Sequence, residues 1–448
     1  MGKKNIDMTQ GSLMRSLVAF SVPLALSGLL QQLYSWADSF IVGNMEGEAA
    51  LAAVGASGSV SRLITLVITG FTAGLAVWAA QQFGMGRRER LREILAAFAP
   101  LCGAVSAAAA LVMGAGAVPM LRLFDTPADI FTMSAAYLRF YLIGTPFMAV
   151  YNVYAAVLRG MGDSRAPFLA IVVSSAANVL LDLLFVGVFG WGAAGAALAT
   201  SVSQILMTVF VLGYTVRKYP GLSFDPRKIR PDAAVLREGF FFGLPMALSS
   251  SIQSVGSMLL QGFQNSFGTA TVAAISTAYR IDSVMLLPVM NLGHGVSTAV
   301  GQNIGGGHRA RASRTLWVGL GMIGAVSLVL TAVVLCFGGR LIALFGVSSE
   351  AVDIGRRFFI ALGSFYPVFA AGTAVQSYLK GLGDMKFTSA VQIAVLALRL
   401  ATSYAMKPHF GNMSIAYAEA VCWTVLLLVW SLRAFWLKRT SGRNAGRD

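Results

Sequence analysis

Three polar side chains stand four residues apart in one otherwise apolar stretch of the sequence. They are Ser174, Asn178 and Asp182, in the segment that begins PFLAIVVSSAANVLLD. Residues four apart share one face of an α-helix, so a helix here presents these three side chains in a row. A carboxylate in a membrane-spanning helix is costly and usually faces a cavity, a partner or a transported ion. The pattern predicts an ion-binding Asp182; the alternative is a protonated Asp182 that only hydrogen-bonds a neighbouring helix.

Two other apolar segments bring polar groups to the depth of Asp182. At 1.5 Å per residue, Asp38, Asp182 and Thr200 all fall roughly 8–12 Å below the outward-facing surface of the membrane. Two carboxyl groups in a low-dielectric site do not readily both carry charge, so such a pair shares a proton or takes a hard cation through oxygen ligands. We predict a coupling site for H⁺ or Na⁺ made by Asp38, Asn178, Asp182 and Thr200, with no other metal site and no cofactor.

The same helical face that carries Asp38 also carries Gln31 and Tyr34, at steps of three and four. With Ser174, these side chains are candidates for the wall of a substrate cavity. The ring of Tyr34 could pack against a bound cation. Equally, a tyrosine near the membrane interface packs its ring and hydrogen-bonds its hydroxyl there, and the spacing does not separate these two interpretations.

The second half of the chain carries a different set of charged residues within apolar segments. Arg399 and Glu419 fall at a similar depth and could pair, while Asp282 lies nearer the middle of its segment, two residues after Arg280. One interpretation is a second wall of a polar cavity, in which Arg280 and Asp282 meet the substrate. The other, which we favour because both charge signs are present, is an internal network of ion pairs.

The composition identifies the class of protein in which these residues must sit. Of the 448 residues, 56% are hydrophobic and only 12% are charged, well below the roughly 25% of soluble proteins. The net charge of +15 does not indicate a nucleic-acid partner, because the basic residues fall between apolar segments at membrane edges. Cys102, Cys336 and Cys422 all lie in apolar runs, so we expect free thiols.

A membrane-spanning helix needs about 20 mostly apolar residues, and the chain contains twelve such segments. We therefore predict an all-α polytopic membrane protein with twelve transmembrane helices in two pseudo-symmetric six-helix bundles. The predicted spans are 15–42, 50–81, 94–118, 130–157, 167–188, 193–215, 239–265, 270–302, 314–337, 352–378, 387–407 and 412–436. Prolines at 23, 146, 245, 288 and 367 fall inside them and permit bends.

The loops predict the orientation of these spans. Roughly 25 of the 34 Lys and Arg residues fall in one set of alternate loops and in the two termini. Cytoplasmic loops carry such an excess, so we expect a multi-pass protein of the cytoplasmic (inner) membrane with both termini in the cytoplasm.

The longest connection, 216–238, is rich in proline and charge, and it separates two halves that repeat each other. We predict an N-terminal six-helix lobe over 1–215, a cytoplasmic linker over 216–238 and a C-terminal six-helix lobe over 239–448. RGMGDSR at 159–165 matches KGLGDMK at 380–386 at a shift of 221 residues, and at that shift Gln81 matches Gln302. Two parallel six-helix repeats around a shared cleft are typical of alternating-access transporters, whereas the alternative is a duplication that serves stability alone.

The chain resembles the multidrug and toxic compound extrusion (MATE) family over nearly its whole length. The resemblance rests on the two repeats, the paired RGMGD and KGLGD turns, the paired Q-x-x-G corners and the run PLALSGLLQQLYSWADSFIVG. Asp38, Asn178, Asp182 and Thr200 look like the N-lobe cation site of its bacterial and archaeal DinF-like subgroup. The NorM-like subgroup instead has a coupling Glu in helix 7 and an Asp in helix 10. Here helix 7 has no acid, and Asp353 lies only at the outer end of helix 10.

The resemblance implies a secondary antiporter that exports cationic, amphipathic compounds in exchange for H⁺ or Na⁺. Its partners would be small organic cations and the lipid bilayer, and we expect a monomer. One alternative is a flippase for a lipid-linked precursor, with a more basic cavity that Arg62, Arg280 and Arg399 could line. Another is a membrane receptor or scaffold without transport. We do not expect an enzyme, because no nucleophile–base constellation is present.

Overall fold

A computed structural model of the protein describes residues 6–123, 126–223 and 232–444. These residues form long helices, and no β-strand occurs among them. The α-helices are α1 Leu13–Glu46, α2 Glu48–Gly84, α3 Arg88–Ala115, α4 Ala117–Leu123, α5 Ala128–Gly160, α6 Arg165–Asp182, α7 Gly192–Lys218, α8 Ala233–Asn265, α9 Thr269–Met285, α10 Leu287–Gly305, α11 Arg309–Ala343, α12 Ser349–Gly363, α13 Tyr366–Leu382, α14 Met385–Phe410 and α15 Ser414–Asn444. The all-α prediction is confirmed.

Nine of the twelve predicted spans are continuous helical stretches. The span 94–118 passes from α3 into α4 at Gly116, and the remaining two are each broken into two helices. The predicted span 270–302 is α9 followed by α10, with a bend of 43°, and the span 352–378 is α12 followed by α13, with a bend of 47°. Pro288 and Pro367 lie in the first turns of α10 and α13, where a missing backbone N–H costs nothing. Prolines 23, 146 and 245, by contrast, lie inside unbroken helices.

By length and hydropathy, eight helical stretches of the described chain can cross a membrane, or up to ten when each bent pair counts as one span. One of these stretches, Met385–Thr440, contains both α14 and α15, and α8 is not among them. With α14 and α15 taken separately and α8 included, the helices correspond to the twelve predicted spans.

The internal repeat extends to individual backbone hydrogen bonds. After the Q-x-x-G corners, Gly86 and Gly307 have φ values of 74° and 77°, which glycine adopts without steric cost. The bond from the Met85 N–H to the Gln81 carbonyl, 3.0 Å, recurs from Gly306 to Gln302 at 2.9 Å. The two halves of the sequence therefore fold into matching helix–turn–helix corners.

Contacts divide the described chain into two compact units. The first, here the N-unit, comprises Pro23–Ala247 together with Ile6, and the second, the C-unit, comprises Asp7–Val22 together with the chain from Leu248 onward. The predicted lobe boundaries at 215 and 239 stay a prediction, and residues 224–231 of the predicted linker lie outside the described residues. The N-unit core includes Trp78 and Phe98, and the C-unit core includes Phe358.

Candidate functional site

Asn178 and Asp182 lie on the buried face of α6, and Asp182 is the last residue of that helix. The exposed fraction is 1% for Asn178 and 0% for Asp182, while Ser174 on the same face is half-buried. Directly after Asp182 the chain forms one π-helical turn, Leu183–Val188. Such turns are rare and occur often at functional sites. Nothing in the sequence predicted this turn, because its widened hydrogen bonds leave no mark on the apolar pattern.

The polar side-chain atoms of Asn178 and Asp182 are buried without a partner in the described part of the protein. Both amide atoms of Asn178 and both carboxylate oxygens of Asp182 lack a hydrogen-bond partner among the described residues. A buried polar group without a partner costs about 1–3 kcal/mol, and more when it is charged. The arrangement thus offers two oxygen-bearing side chains whose hydrogen-bonding capacity the fold leaves unused.

Helix α1 supplies the second carboxyl group. Asp38 is half-buried, its Oδ1 atom is buried without a hydrogen-bond partner, and its charge interacts with that of Asp182. One turn further along α1, Ile41 and Val42 are buried in a hydrophobic cluster that includes Val186 of the π-helical turn. This cluster fixes the end of α1 beside the segment that follows Asp182.

Helix α7 contributes Thr200 and several small residues to the same region. Ala196 and Ala197 belong to the cluster around Ile41, and their small side chains allow close helix packing. The Thr200 hydroxyl donates to the Ala196 carbonyl at 3.1 Å, so its donor is used within the helix and its oxygen remains an acceptor. Among the described residues, no hydrogen bond joins Thr200 to either carboxyl group.

Two tyrosines of α5 that sequence reasoning missed form an aromatic wall beside the acids. The rings of Tyr137 and Tyr141 stack with centroids 6.2 Å apart and planes within 12°. Tyr137 interacts electrostatically with both Asp38 and Asp182, and the Tyr141 hydroxyl lies 3.3 Å from the Thr65 hydroxyl. A signal was available, since these tyrosines are four residues apart and fall at about the predicted depth of Asp182.

The predicted cavity residues of the N-unit differ in exposure. Gln31 is exposed, whereas Tyr34 is half-buried and interacts electrostatically with Asp38. Arg280 and Asp282 belong to the C-unit, where Arg280 is exposed and Asp282 is 6% exposed. The roles predicted for these side chains in substrate binding stay predictions.

Arg399 and Glu419 meet in the C-unit. Arg399 Nη2 donates to Glu419 Oε2 at 2.7 Å and lies 2.8 Å from the Tyr279 hydroxyl. That hydroxyl in turn donates to Glu419 Oε2 at 2.8 Å. Asp282 takes no part in this triangle, and its carboxylate instead accepts a hydrogen bond from Tyr366.

The N-unit also contains an apolar cavity of about 450 Å³ between α2, α3, α5 and the first half of α8. Its lining includes Ile68, Phe71, Leu101, Val105 and Leu244, with few polar atoms. A cavity of this size and polarity suits the apolar part of a drug-sized molecule.

Long apolar helices, two bent spans in the C-unit and unpartnered carboxyl oxygens in the N-unit are together typical of a polytopic membrane transporter. The MatE family model matches residues 23–184 and 245–405, one match in each half of the chain. The chain therefore belongs to the MATE family of multidrug efflux transporters, as predicted, and this family is not one of enzymes.

Curated relatives match along nearly the whole chain. The probable multidrug resistance protein YpnP of Bacillus subtilis is 29% identical, over 92% of this chain and 91% of its own length. The probable multidrug resistance protein YoeA of the same organism is 26% identical, over 96% of this chain and 95% of its own length.

Solved structures agree on the fold. A MATE crystal structure in the bent conformation superposes with a TM-score of 0.91 at 21% identity, covering 99% of this chain and all of the other. An outward-facing multidrug resistance MATE transporter gives 0.90 at 21% identity, covering 98% of this chain and all of the other. The twelve-helix, two-bundle prediction is thereby confirmed.

Proposed function

We propose that this chain is an antiporter that exports cationic, amphipathic compounds in exchange for H⁺ or Na⁺. The observation that carries the proposal is the set of unpartnered polar atoms on Asn178 and Asp182, beside Asp38 and directly before the π-helical turn. An interior carboxyl group without an internal partner gains most from binding a proton or a cation. This is the N-lobe cation site that the resemblance to the DinF-like subgroup implies.

Coupling in this proposal works through the packing of α1 and α6. The ion enters from outside and reduces the repulsion between Asp38 and Asp182, so the two helices can approach. Thr200 contributes a hydroxyl oxygen, and the ring of Tyr34 contributes a surface that attracts positive charge. Because ion and drug favour different packings of the N-unit, binding of the ion releases the drug, and alternating access follows.

The substrate class in this proposal follows from two features. The acids provide negative charge for a cationic group, and the apolar cavity between α2, α3, α5 and α8 suits the apolar remainder of an amphipathic molecule. The names of YpnP and YoeA, both probable multidrug resistance proteins, favour the same class. We further propose that the protein is a monomer. From the loop charges, we propose that it lies in the cytoplasmic membrane with both termini in the cytoplasm.

Ethidium transport in proteoliposomes tests the proposal. We expect wild-type protein to move ethidium under one of two imposed gradients, of pH or of Na⁺. The gradient that drives transport identifies the coupling ion. Asp182→Asn removes the ionisable group at nearly constant volume and should abolish this movement. The matched control is Asp353→Asn, an exposed acid at the start of α12 that pairs with Arg357 and should transport normally.

If Asp182→Asn moves ethidium as fast as wild type does, the proposed ion site at Asp182 is wrong. Transport under neither gradient would favour the flippase, with lipid substrates tested next. The flippase has less support than the sequence suggested, because Arg399 is bound to Glu419 and offers less charge to an anionic headgroup.

A further inference from the structure

The apolar cavity of the N-unit, with its volume of about 450 Å³, follows the half of α3 that the loop charges place towards the outside. Its lining on that helix begins at Leu101 and ends at Met113, which is a length of about 18 Å at 1.5 Å per residue. The hydrocarbon core of a bilayer is about 30 Å thick, so one leaflet contributes about 15 Å. The cavity therefore matches the length of one acyl chain in one leaflet.

The cavity opens on the surface of the N-unit that faces lipid. Leu63 and Val67 of α2, Val105 of α3 and Leu244 of α8 line it and are between 37% and 60% exposed. All four lie within predicted membrane spans, where the surrounding medium is hydrocarbon rather than water. Acyl chains are the most abundant molecules at such an opening.

Three aromatic rings close the inner end of the cavity. The ring centroids of Phe71, Phe98 and Phe240 lie 5.7–5.9 Å from one another. Thr72 and Thr145 also line the cavity, but each hydroxyl donates to a carbonyl of its own helix. The deep part of the cavity thus suits an apolar group that needs no hydrogen bond.

An arginine lies at the outer end of the cavity. Arg139 Nε on α5 donates to the carbonyl of Gly114 at 3.3 Å, and Gly114 directly follows Met113, the last lining residue of α3. Leu142, another lining residue, comes three positions after Arg139 and shares its helix face. The side chain of Arg139 is exposed, and this bond uses one of its five N–H donors. The remaining donors are available to a ligand at the mouth of the cavity.

The helices around this mouth do not balance the charge of Arg139. Among the described residues, Arg139 forms no ion pair, and its hydrogen bond goes to an uncharged carbonyl. On α3 the acids are Glu89 and Glu93, at the opposite end of the helix, and Asp129 on α5 lies ten residues, or about 15 Å, before Arg139. The one acid of α2, Glu48, precedes the first lining residue of that helix by about 22 Å. An anionic ligand would supply the missing negative charge.

We propose that this cavity binds one acyl chain of an anionic phospholipid, whose phosphate is held by Arg139. The acyl chain extends inwards from the mouth to the three rings, and the phosphate oxygens accept hydrogen bonds from the guanidinium, which suits phosphate geometry. The repeated fold does not itself require an arginine here. At the shift of 221 residues the equivalent residue is Ile360, which is 47% exposed.

The bound lipid would also regulate the cavity, and this consequence rests on the proposed function, which assigns the same cavity to the apolar part of the drug. Two apolar groups cannot fill one volume, so the drug must displace the acyl chain. The anionic lipid then competes with the drug in the membrane, whereas the lipid site itself stands without any transport.

Photo-crosslinking of the full chain in lipid nanodiscs, without an ion gradient, tests the lipid site. The probe is phosphatidylglycerol with a diazirine in one acyl chain, compared with phosphatidylcholine that has the same acyl chains and a cationic group cancelling the phosphate charge. We expect phosphatidylglycerol to label residues 101–113 about tenfold more, as a charge-assisted hydrogen bond predicts. Arg139→Gln should abolish this preference. The matched control is Arg340→Gln, in the last turn of α11, which should keep it.

A second variant tests the cavity without changing a charge. Ala109 lines the cavity on α3, and Ala109→Phe places a ring inside it, so labelling of 101–113 by both lipids should fall. Labelling that persists in folded Ala109→Phe would overturn the cavity as the site of the acyl chain. Equal labelling by the two lipids in wild type, or an unchanged preference in folded Arg139→Gln, would overturn the role of Arg139.

Ethidium added to the same nanodiscs separates the lipid site from the proposed function. We expect ethidium to reduce the labelling of residues 101–113 by phosphatidylglycerol. Strong labelling that ethidium leaves unchanged would overturn the competition and would remove this cavity from the proposed drug site. Gradient-driven ethidium export without any lipid labelling of 101–113 would overturn the lipid site alone.

Discussion

Asn178 illustrates how single residues of the site serve ion binding at the expense of stability. Its exposed fraction is 1%, and neither of its amide atoms has a hydrogen-bond partner among the described residues. Replacing an unsatisfied buried polar group by an apolar group of similar shape is nearly neutral or stabilising. A residue retained in such a position is therefore explained by what it binds rather than by folding.

Asn178→Leu separates the contribution of Asn178 to ion binding from its contribution to stability. We expect the unfolding temperature in detergent to stay the same or to rise, with a gain of about 1 kcal/mol at most. Gradient-driven export should fall about tenfold or more, because an amide oxygen worth about 1.4 kcal/mol is lost from the ion site. Thermal unfolding and ethidium efflux of the same preparation measure both effects. A loss of stability together with intact export would contradict the assignment.

At the scale of the helices, the turn between α5 and α6 is held to the end of α7 by Asp163. The carboxylate accepts hydrogen bonds from Lys218 Nζ at 2.8 Å and from the Tyr219 hydroxyl at 2.6 Å. At the equivalent turn of the C-unit, Asp384 accepts from Arg433 of α15 at 2.8 Å. Each unit thus uses the aspartate of its Gly-Asp turn to hold its last long helix.

Asp163→Asn should therefore lower stability in a pH-dependent way. Burial alone would raise the pKa of Asp163, but hydrogen bonds from Lys218 and Tyr219 and the charge of Lys218 lower it below its ordinary value. A lowered pKa in the folded state gives stability that is full above the unfolded value of about 3.9. That stability is lost as pH falls through the folded pKa.

At neutral pH, we expect the free energy of unfolding of wild type to exceed that of Asp163→Asn by about 3 kcal/mol, because the substitution removes one partner of a buried pair. The difference should shrink only well below pH 4. Unfolding temperatures of both proteins measured across pH provide the test. Asp353→Asn is the control, because its ion pairs are exposed and should contribute within about 0.5 kcal/mol. A difference that grows towards acid pH would have the wrong sign.

Close helix crossings give a second prediction at this scale. A Cβ atom added at Gly160 would lie 2.7–2.9 Å from atoms of α2, and one at Gly381 would lie 2.5–2.8 Å from atoms of α10. Since backbone atoms are among those contacted, we expect each Gly→Ala change to cost about 2–3 kcal/mol. Gly213→Ala in α7 meets nothing within 4 Å and should gain up to about 1 kcal/mol. Equal thermal shifts in all three variants would contradict this account.

The sequence predicted the helical architecture well but not its irregularities. Apolar runs located all twelve spans, because crossing a bilayer fixes the length and polarity of each helix. The four-residue spacing also placed Asn178 and Asp182 on one buried face. The π-helical turn was missed, since hydrogen bonding and packing decide among alternatives that share one apolar pattern. Both helix breaks fall at predicted proline bends, 288 and 367, but the sequence did not show that prolines 23, 146 and 245 leave their helices unbroken. Tyr137 was missed because aromatic residues in helices more often serve packing alone.

At the scale of the whole molecule, the orientation in the membrane decides which side supplies the coupling ion. The loop charges predict that the Q-x-x-G corners lie in the cytoplasm and that the α1–α2 connection lies outside. Gly86 and Gly47 suit labelling at these two places, because a Cβ on either meets nothing within 4 Å. Each has a positive φ, so a substitution there strains the backbone, and intact export must be verified first.

Single cysteines at these positions test the orientation, in a background where the three free native thiols are replaced by alanine. We expect a membrane-impermeant maleimide added to intact cells to label Gly47→Cys, and to label Gly86→Cys only after the membrane is opened. Labelling of Gly86→Cys alone in intact cells would invert the topology. It would then place Asp38 and Asp182 near the cytoplasmic surface, where an ion gradient directed inwards could not load them, so the proposed direction of antiport would fail with it.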